Sequence, residues 1–115
     1  MSNSALDLLT LEIERCGDTA VVRCHGKLVT GANDLFYARV KELIPGTKRI
    51  VLDLKDLTRL DSTGLGAVVR LYVSARSAGC SLELINIGKQ VRDLLGVTHL
   101  LSVLATIGEH GIRMG

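Results

Sequence analysis

The chain has 115 residues, 47% of them hydrophobic but only 3% aromatic, and its formal net charge is +2. This length suits one compact domain, and the hydrophobic fraction excludes a disordered protein. Because Lys and Arg are scattered among acidic residues and aromatics are few, the composition excludes a basic, base-stacking nucleic-acid interface.

Membrane and metal chemistry are not expected either. No hydrophobic run approaches the ~20 residues that span a bilayer, and the N-terminus lacks the early positive charge of a secretory signal. We therefore expect a cytoplasmic protein without membrane insertion. The cysteines Cys16, Cys24 and Cys80 form no Cys-x-x-Cys pair, and the histidines show no ligand spacing, so buried free thiols and neither metal nor cofactor are predicted.

A β-hairpin is predicted near the N-terminus, after a loose terminal segment at residues 1–7. Residues 11–15 alternate hydrophobic with charged side chains, Gly17 and Asp18 supply a turn, and residues 19–25 are rich in β-formers. The inward face of the second strand is predicted to carry Ala20, Val22 and Cys24. A loop at residues 26–31 follows.

Two helices and two strands are predicted next. Asn33 or Asp34 is expected to cap a helix that contains Phe36, Val40 and Leu43 at helical spacing and is ended by Pro45 and Gly46. Residues 49–54 predict a buried strand with Asp53 near its end. A second helix is predicted to face the core through Leu65, Val68, Val69, Tyr72 and Val73, which leaves a weaker hydrophobic edge at Ala67, Leu71 and Ala75.

The elements predicted after residue 80 are short. The pattern predicts a strand at residues 81–86, a helix at 89–95, a further short strand at 100–105, and a loose terminus at 108–115. Alternating strands and helices after a hairpin indicate a single α/β domain with a mixed sheet. Functional loops favour the carboxyl ends of such strands, so residues 26–31 and 60–66 are expected to be neighbours.

The segment Asp61-Ser62-Thr63-Gly64-Leu65-Gly66 lies where the second helix should begin. Backbone N–H groups at a helix start lack intrahelical partners and favour a phosphate on a nearby hydroxyl. Ser62 is thus a candidate phosphoacceptor with Thr63 as the alternative, although capping the helix would also explain a serine here. Asp61 is expected either to cap the helix or to orient the hydroxyl.

Catalysis is not expected. The sequence lacks Gly-x-Ser-x-Gly and a complete phosphate-binding glycine loop, and no histidine is placed in sequence as a partner for Ser62. We therefore predict a protein that is not an enzyme.

The motif and the order of elements resemble the STAS domain of bacterial anti-sigma factor antagonists. The resemblance rests on Ile50-Val51-Leu52-Asp53-Leu54 followed by Leu60-Asp61-Ser62-Thr63-Gly64-Leu65-Gly66, and it covers nearly the whole chain. It implies that an anti-sigma factor serine kinase binds this face and phosphorylates Ser62. The implied partner-binding positions are Lys27, Val29, Asp61, Ser62, Thr63, Gly64, Leu65 and Gly66.

One loop departs from the family pattern. Where the family commonly has Gly-Glu-Leu-Asp, this chain has Gly26-Lys27-Leu28-Val29. Loss of both acids favours two alternatives. One is a constitutive STAS subunit that docks on the ATPase of an ABC-type lipid transporter, and the other is an interaction module that is not phosphorylated. Lys27 is also suited to pairing with a phosphate or an acidic partner surface.

Overall fold

The computed structural model describes residues 8–89, 92–93, 106–107 and 111–114. In these residues the strands are β1 (Leu9–Cys16), β2 (Thr19–Leu28), β3 (Arg49–Leu60), β4 (Ser81–Ile85), β5 (Thr106–Ile107) and β6 (Gly111–Met114). The helices are α1 (Asn33–Lys41) and α2 (Ser62–Ser77). The strands form one sheet in the order β1-β2-β3-β4-β6-β5.

The sheet is mixed, as predicted. Strands β2, β3 and β4 pair in parallel, whereas β1, β6 and β5 join by antiparallel pairing. The parallel pairs need crossover connections, which α1 and α2 supply. The predicted α/β domain with a mixed sheet is therefore confirmed.

The N-terminal hairpin has the predicted faces. Strand β1 pairs with β2 from Leu9↔Gly26 to Cys16↔Thr19. Alternate residues of β2 are fully buried beneath the helices, namely Ala20, Val22 and Cys24. Because strand side chains alternate between faces, the period-two pattern identified this side of the core correctly.

Two strands are longer than the sequence predicted. Residues 26–28 belong to β2 instead of a loop, and β3 runs to Leu60 instead of ending near Asp53. Polar and charged residues after Asp53 obscure this extension in the sequence, but parallel pairing continues to Leu28↔Leu60. Asp53 has a structural role within β3, because its Oδ1 accepts a hydrogen bond from the Lys55 N–H.

Helix α1 is shorter and is capped differently than predicted. It ends at Lys41, and bonds from Leu43 N to Val40 O and from Ile44 N to Lys41 O tighten the following chain before Pro45. Its N-cap is Ala32 without a side-chain hydrogen bond, so Asn33 and Asp34 are not caps. The Asn33 side chain contacts α2 instead.

Helix α2 buries Leu65, Val68 and Tyr72 as predicted, but Val69 is only partly buried and Val73 is exposed, so the buried stripe is shifted around the helix. The fully or nearly fully buried residues include Leu65, Ala67, Val68, Leu71, Tyr72 and Ala75. Ala67, Leu71 and Ala75 are therefore core residues and not an open edge, whereas the Val73 side chain is 57% exposed. Small alanine side chains let the helix lie close to its neighbours, a contact that hydrophobicity alone does not reveal.

The C-terminal predictions have mixed outcomes. The predicted helix at 89–95 is described only in part, with a helical bond from Arg92 N to Gly88 O. The strand predicted at 100–105 and the loose segment at 1–7 lie outside the described residues. Residues 111–114 form β6 against β4, so the prediction of a loose terminus there is wrong. Backbone pairing holds this segment, which side-chain periodicity does not show.

Two of the cysteines are buried as predicted, Cys24 and Cys80, but Cys16 is exposed at the end of β1. Burial raises the pKa of the Cys24 thiol to about 12, with a smaller contribution from the Asp53 carboxylate. That thiol therefore stays protonated near neutral pH. In the described part of the chain, no helix has the length and hydrophobicity to cross a membrane.

Candidate functional site

The carboxyl ends of β2 and β3 bring the two predicted loops together. The Asp61 N–H donates to the Leu28 carbonyl at 3.4 Å, and the Thr30 N–H donates to Asp61 Oδ2 at 3.2 Å. The residues after β2 thus lie directly beside the start of α2, as expected from the topology.

Asp61 is the N-cap of α2. Its extended backbone places Oδ1 where it accepts the Gly64 N–H at 2.9 Å. The carboxylate also accepts a hydrogen bond from the Thr63 hydroxyl. Asp61 therefore fills the capping role, one of the two that the sequence left open, and also fixes the residues after β2.

Thr63 is the centre of a side-chain network. Its Oγ1 donates to Asp61, accepts from Asn33 Nδ2 at 2.7 Å, and lies 3.2 Å from Thr30 Oγ1. This network joins the start of α1 to the start of α2. Because the hydroxyl is already engaged, Thr63 is suited to holding the site together.

Ser62 differs from Thr63. It occupies the first position of α2 and is exposed, and within the described residues its side chain makes no hydrogen bond. Its hydroxyl is therefore available to an approaching molecule next to a rigid helix start.

Gly64, Leu65 and Gly66 have separate roles. Gly64 is buried, and a Cβ added there would lie 2.2 Å from the Leu28 carbonyl oxygen. Leu65 is only 3% exposed and packs in the core. Both are buried, so no exposed surface supports the partner-contact role that the resemblance implies for them, and that role stays a prediction. Gly66 is exposed and open.

Lys27 and Val29 lie beside this helix start, in a groove of about 350 Å³. The groove is lined by Leu8, Lys27, Val29, Thr30, Arg59 and Asp61, and we call it the Lys27–Arg59 groove. The structure thus brings Lys27, Val29 and Asp61 together as the sequence predicted, and it adds Arg59 next to Lys27 in the β2–β3 register.

Three contributors were missed from the sequence, namely Thr30, Asn33 and Arg59. The sequence pattern predicts a loop at Thr30 and offers Asn33 as a cap, and only the packing of α1 against α2 brings both residues to Thr63. Arg59 was detectable in principle, because it precedes the motif by two residues. Its position beside Lys27 follows only from the extension of β3 to Leu60.

The electrostatics of Asp61 follow from these contacts. Partial burial alone would raise its pKa, but hydrogen bonds from the Thr63 side chain and the Gly64 and Thr30 N–H groups outweigh burial and lower the pKa of this carboxyl below its ordinary value. A lowered pKa means that the folded state favours the ionised cap. Its stabilisation is complete above the unfolded pKa of about 4 and disappears as the pH falls through the lower folded value.

We therefore expect Asp61→Ala to lower the free energy of unfolding by about 1–2 kcal/mol at neutral pH, because three hydrogen bonds to the carboxylate are lost. The difference from the wild type should shrink as the pH falls below about 4. Urea unfolding across a pH series measures this. Asp34→Ala is the control, because this exposed acid lies in the first turn of α1 but does not cap it; only the weaker interaction with the helix dipole is lost, so the difference and its pH dependence should be smaller. A difference that stays constant with pH would contradict the role of the ionised cap.

Known proteins share this architecture. The chain is 28% identical over 98 residues to the anti-sigma F factor antagonist of Paenibacillus polymyxa, covering 84% of each protein. It also resembles the solved anti-sigma factor antagonist SpoIIAA in its unphosphorylated form, with a TM-score of 0.70, 22% identity and coverage of 79% of this chain and 82% of that one. The phosphorylated form of SpoIIAA gives a TM-score of 0.66 at 21% identity, over 79% and 85% of the two chains.

A further structural likeness is to the murine anion transporter Slc26a9, with a TM-score of 0.65 and 18% identity. It covers 73% of this chain but only 14% of the transporter. At these identities the structural likenesses establish the fold alone. The model of the STAS domain family matches residues 10–110, which is most of the chain. The protein therefore belongs to the STAS domain family.

Proposed function

We propose that this protein is an anti-sigma factor antagonist that binds an anti-sigma factor serine kinase, frees a sigma factor, and is released when Ser62 is phosphorylated. The observation that carries the proposal is the exposed Ser62 hydroxyl, free of hydrogen bonds within the described residues, at the start of α2. The protein acts by binding and not by catalysis.

The helix start suits a phosphoacceptor. A phosphate adds roughly −1.5 to −2 charges, and the N-terminus of a helix stabilises negative charge. Thr63 and Asp61 already hold this helix start through their own hydrogen bonds, so modification of Ser62 requires none of those bonds to break. The folded domain therefore tolerates the phosphate.

A bound partner would not tolerate it. Ser62 and Gly66 are both exposed, one turn apart on α2, so they present a surface without a large side chain. A protein packed there would have to accommodate the phosphate and its hydration, which opposes the contact. The Paenibacillus relative is named an anti-sigma F factor antagonist, and SpoIIAA has been solved in a phosphorylated form, which supports an antagonist that carries a phosphate.

The test is phosphorylation by purified kinases. We expect one of the anti-sigma factor serine kinases encoded in the same genome, incubated with the protein and ATP, to phosphorylate Ser62, as mapped by mass spectrometry. Ser62→Ala should abolish the modification, whereas Thr63→Ser keeps a hydroxyl in the network and should leave Ser62 modified. Phosphate on Thr63, or no phosphate with kinases that are active on other antagonists, would contradict the proposal.

The second candidate is constitutive docking on a transporter ATPase. It is favoured by Lys27 and Val29, which stand where antagonists of the family commonly carry acids. Stable binding to an ABC-type ATPase without phosphorylation would identify this function. Neighbouring genes distinguish the two at little effort, because a kinase and a sigma factor favour the first and an ATPase with a permease favours the second.

A further inference from the structure

Two positive side chains lie next to each other at the edge of the site. Lys27 and Arg59 are paired in the parallel register of β2 and β3, and both are exposed. Adjacent strands are about 4.8 Å apart, so the two residues lie close enough for their charges to repel. Like charges at paired positions destabilise a sheet unless a negative group lies between them.

The protein supplies no such group in its described part. Neither Lys27 nor Arg59 forms an ion pair there, whereas Arg23 pairs with Glu14 at 2.9 Å and Arg49 pairs with Glu83. The acid that lines the groove is Asp61, and both its oxygens already accept hydrogen bonds. The groove therefore has an excess of positive charge.

The wall of the groove is partly hydrophobic. Leu8 and Val29 line it together with the two cations, and both are only partly buried. A carboxylate next to a hydrophobic side chain matches this surface better than an isolated small anion, because it satisfies the cations and covers Leu8 and Val29. An extended protein segment provides both groups.

We propose that the Lys27–Arg59 groove binds an acidic segment of the partner protein, with an Asp or Glu carboxylate between Lys27 and Arg59. This inference rests on the proposed function and adds the chemistry of the partner. A phosphate on Ser62, the residue next to Asp61, brings negative charge to the border of the groove. It would repel the acidic segment, which gives a physical reason for release.

The first test reverses the charges. The probe is the purified kinase that phosphorylates Ser62, and titration calorimetry without nucleotide measures its affinity for each variant. We expect Lys27→Glu and Arg59→Glu each to weaken binding by roughly 10- to 100-fold. Lys27→Arg and Arg59→Lys should stay close to the wild type. Reversal relieves the repulsion between Lys27 and Arg59, and urea unfolding of each variant checks that a loss of affinity does not reflect unfolding.

The matched control is Lys48→Glu. Lys48 is exposed and precedes the first residue of β3, whereas Arg59 lies near the last residue, so the same change of charge is made at the opposite end of the strand. We expect its affinity to equal that of the wild type. An equal loss in all three reversal variants would indicate a general effect of net charge and would overturn the proposal.

The second test identifies the contact directly. A carbodiimide joins the Lys27 amine to a carboxylate in contact with it, with loss of water, and mass spectrometry locates the linked residue. We expect an Asp or Glu of the kinase to be joined to Lys27. Lys27→Arg should remove that crosslink while it preserves binding, because guanidinium keeps the charge but not the amine.

The results separate the two proposals. If the kinase phosphorylates Ser62 and binds the reversal variants as tightly as the wild type, the groove proposal is wrong and the proposed function stands. If reversal leaves binding intact but prevents release after phosphorylation, the cations hold the Ser62 phosphate of this chain, and the groove proposal is again wrong. If no kinase binds or modifies the wild type, both proposals fail.

Discussion

Replacing Gly64 with alanine is expected to lower the free energy of unfolding by about 3 kcal/mol, the upper end of the usual effect of overpacking. The new Cβ would lie 2.2 Å from the Leu28 carbonyl oxygen and 2.9 Å from Leu60 Cδ1. Leu28 is the last residue of β2, and its carbonyl accepts the Asp61 N–H, so the backbone cannot move without loosening the helix start. Urea unfolding measures the effect.

Gly66→Ala is the matched control, two residues further along α2. Apart from the neighbouring backbone of α2 itself, no atom lies within 4 Å of a Cβ at this position, and alanine favours a helix over glycine. We therefore expect the opposite sign, a gain of up to about 1 kcal/mol. Similar stabilities for the two variants would contradict the close contact at Gly64. Because Gly66→Ala keeps the fold, any loss of kinase affinity in it would report close approach of the partner.

Replacing Ser62 with aspartate is expected to weaken binding to the kinase that phosphorylates Ser62 by at least about tenfold, compared with the unphosphorylated wild type. The carboxylate places negative charge at the exposed start of α2, where the proposed complex is packed. Ser62→Ala removes the phosphoacceptor without adding charge, so it should bind like the wild type and persist in the complex when ATP is added. Calorimetry with each purified variant measures both affinities.

The stability of the two Ser62 variants separates lost binding from lost structure. A negative side chain in the first turn of a helix is favourable by about 0.3–1 kcal/mol. The aspartate variant should therefore unfold at a denaturant concentration no lower than the alanine variant. An aspartate variant that is stable and binds as tightly as the wild type would contradict release by charge at this residue.

Local patterns were sufficient to predict much of the fold. Alternation along β2 identified the buried side of Ala20 and Val22, and the hydroxyl and glycine residues after Leu60 located the start of α2. Asp61 as the cap was one of the stated alternatives. These features depend on side chains within a few residues of one another, which is the range over which a sequence pattern is informative.

The features of the fold and the site that the sequence did not predict depend on packing between distant parts of the chain. Neither the pairing of β6 with β4 nor the extension of β2 through Gly26 depends on a recognisable side-chain period. Asn33 was expected to cap α1 but donates to Thr63, thirty residues away in the sequence. The tight contact of Gly64 with Leu28 could not be predicted, because it exists only after β2 and α2 have packed.

The parallel pairing of β2 with β3 reaches Leu28↔Leu60 despite two register shifts, so the backbone fixes the positions of Lys27 and Arg59 whichever side chains they carry. Main-chain hydrogen bonds, and not side chains, bring positions 27 and 59 together, and both side chains are exposed. Replacing Lys27 and Arg59 by residues of other charge should therefore alter which partner binds, at little cost in stability. In a cell with several proteins of this family, two surface positions would then determine which kinase each protein binds. The phosphorylation of a serine at the start of α2 would be the same in all of them.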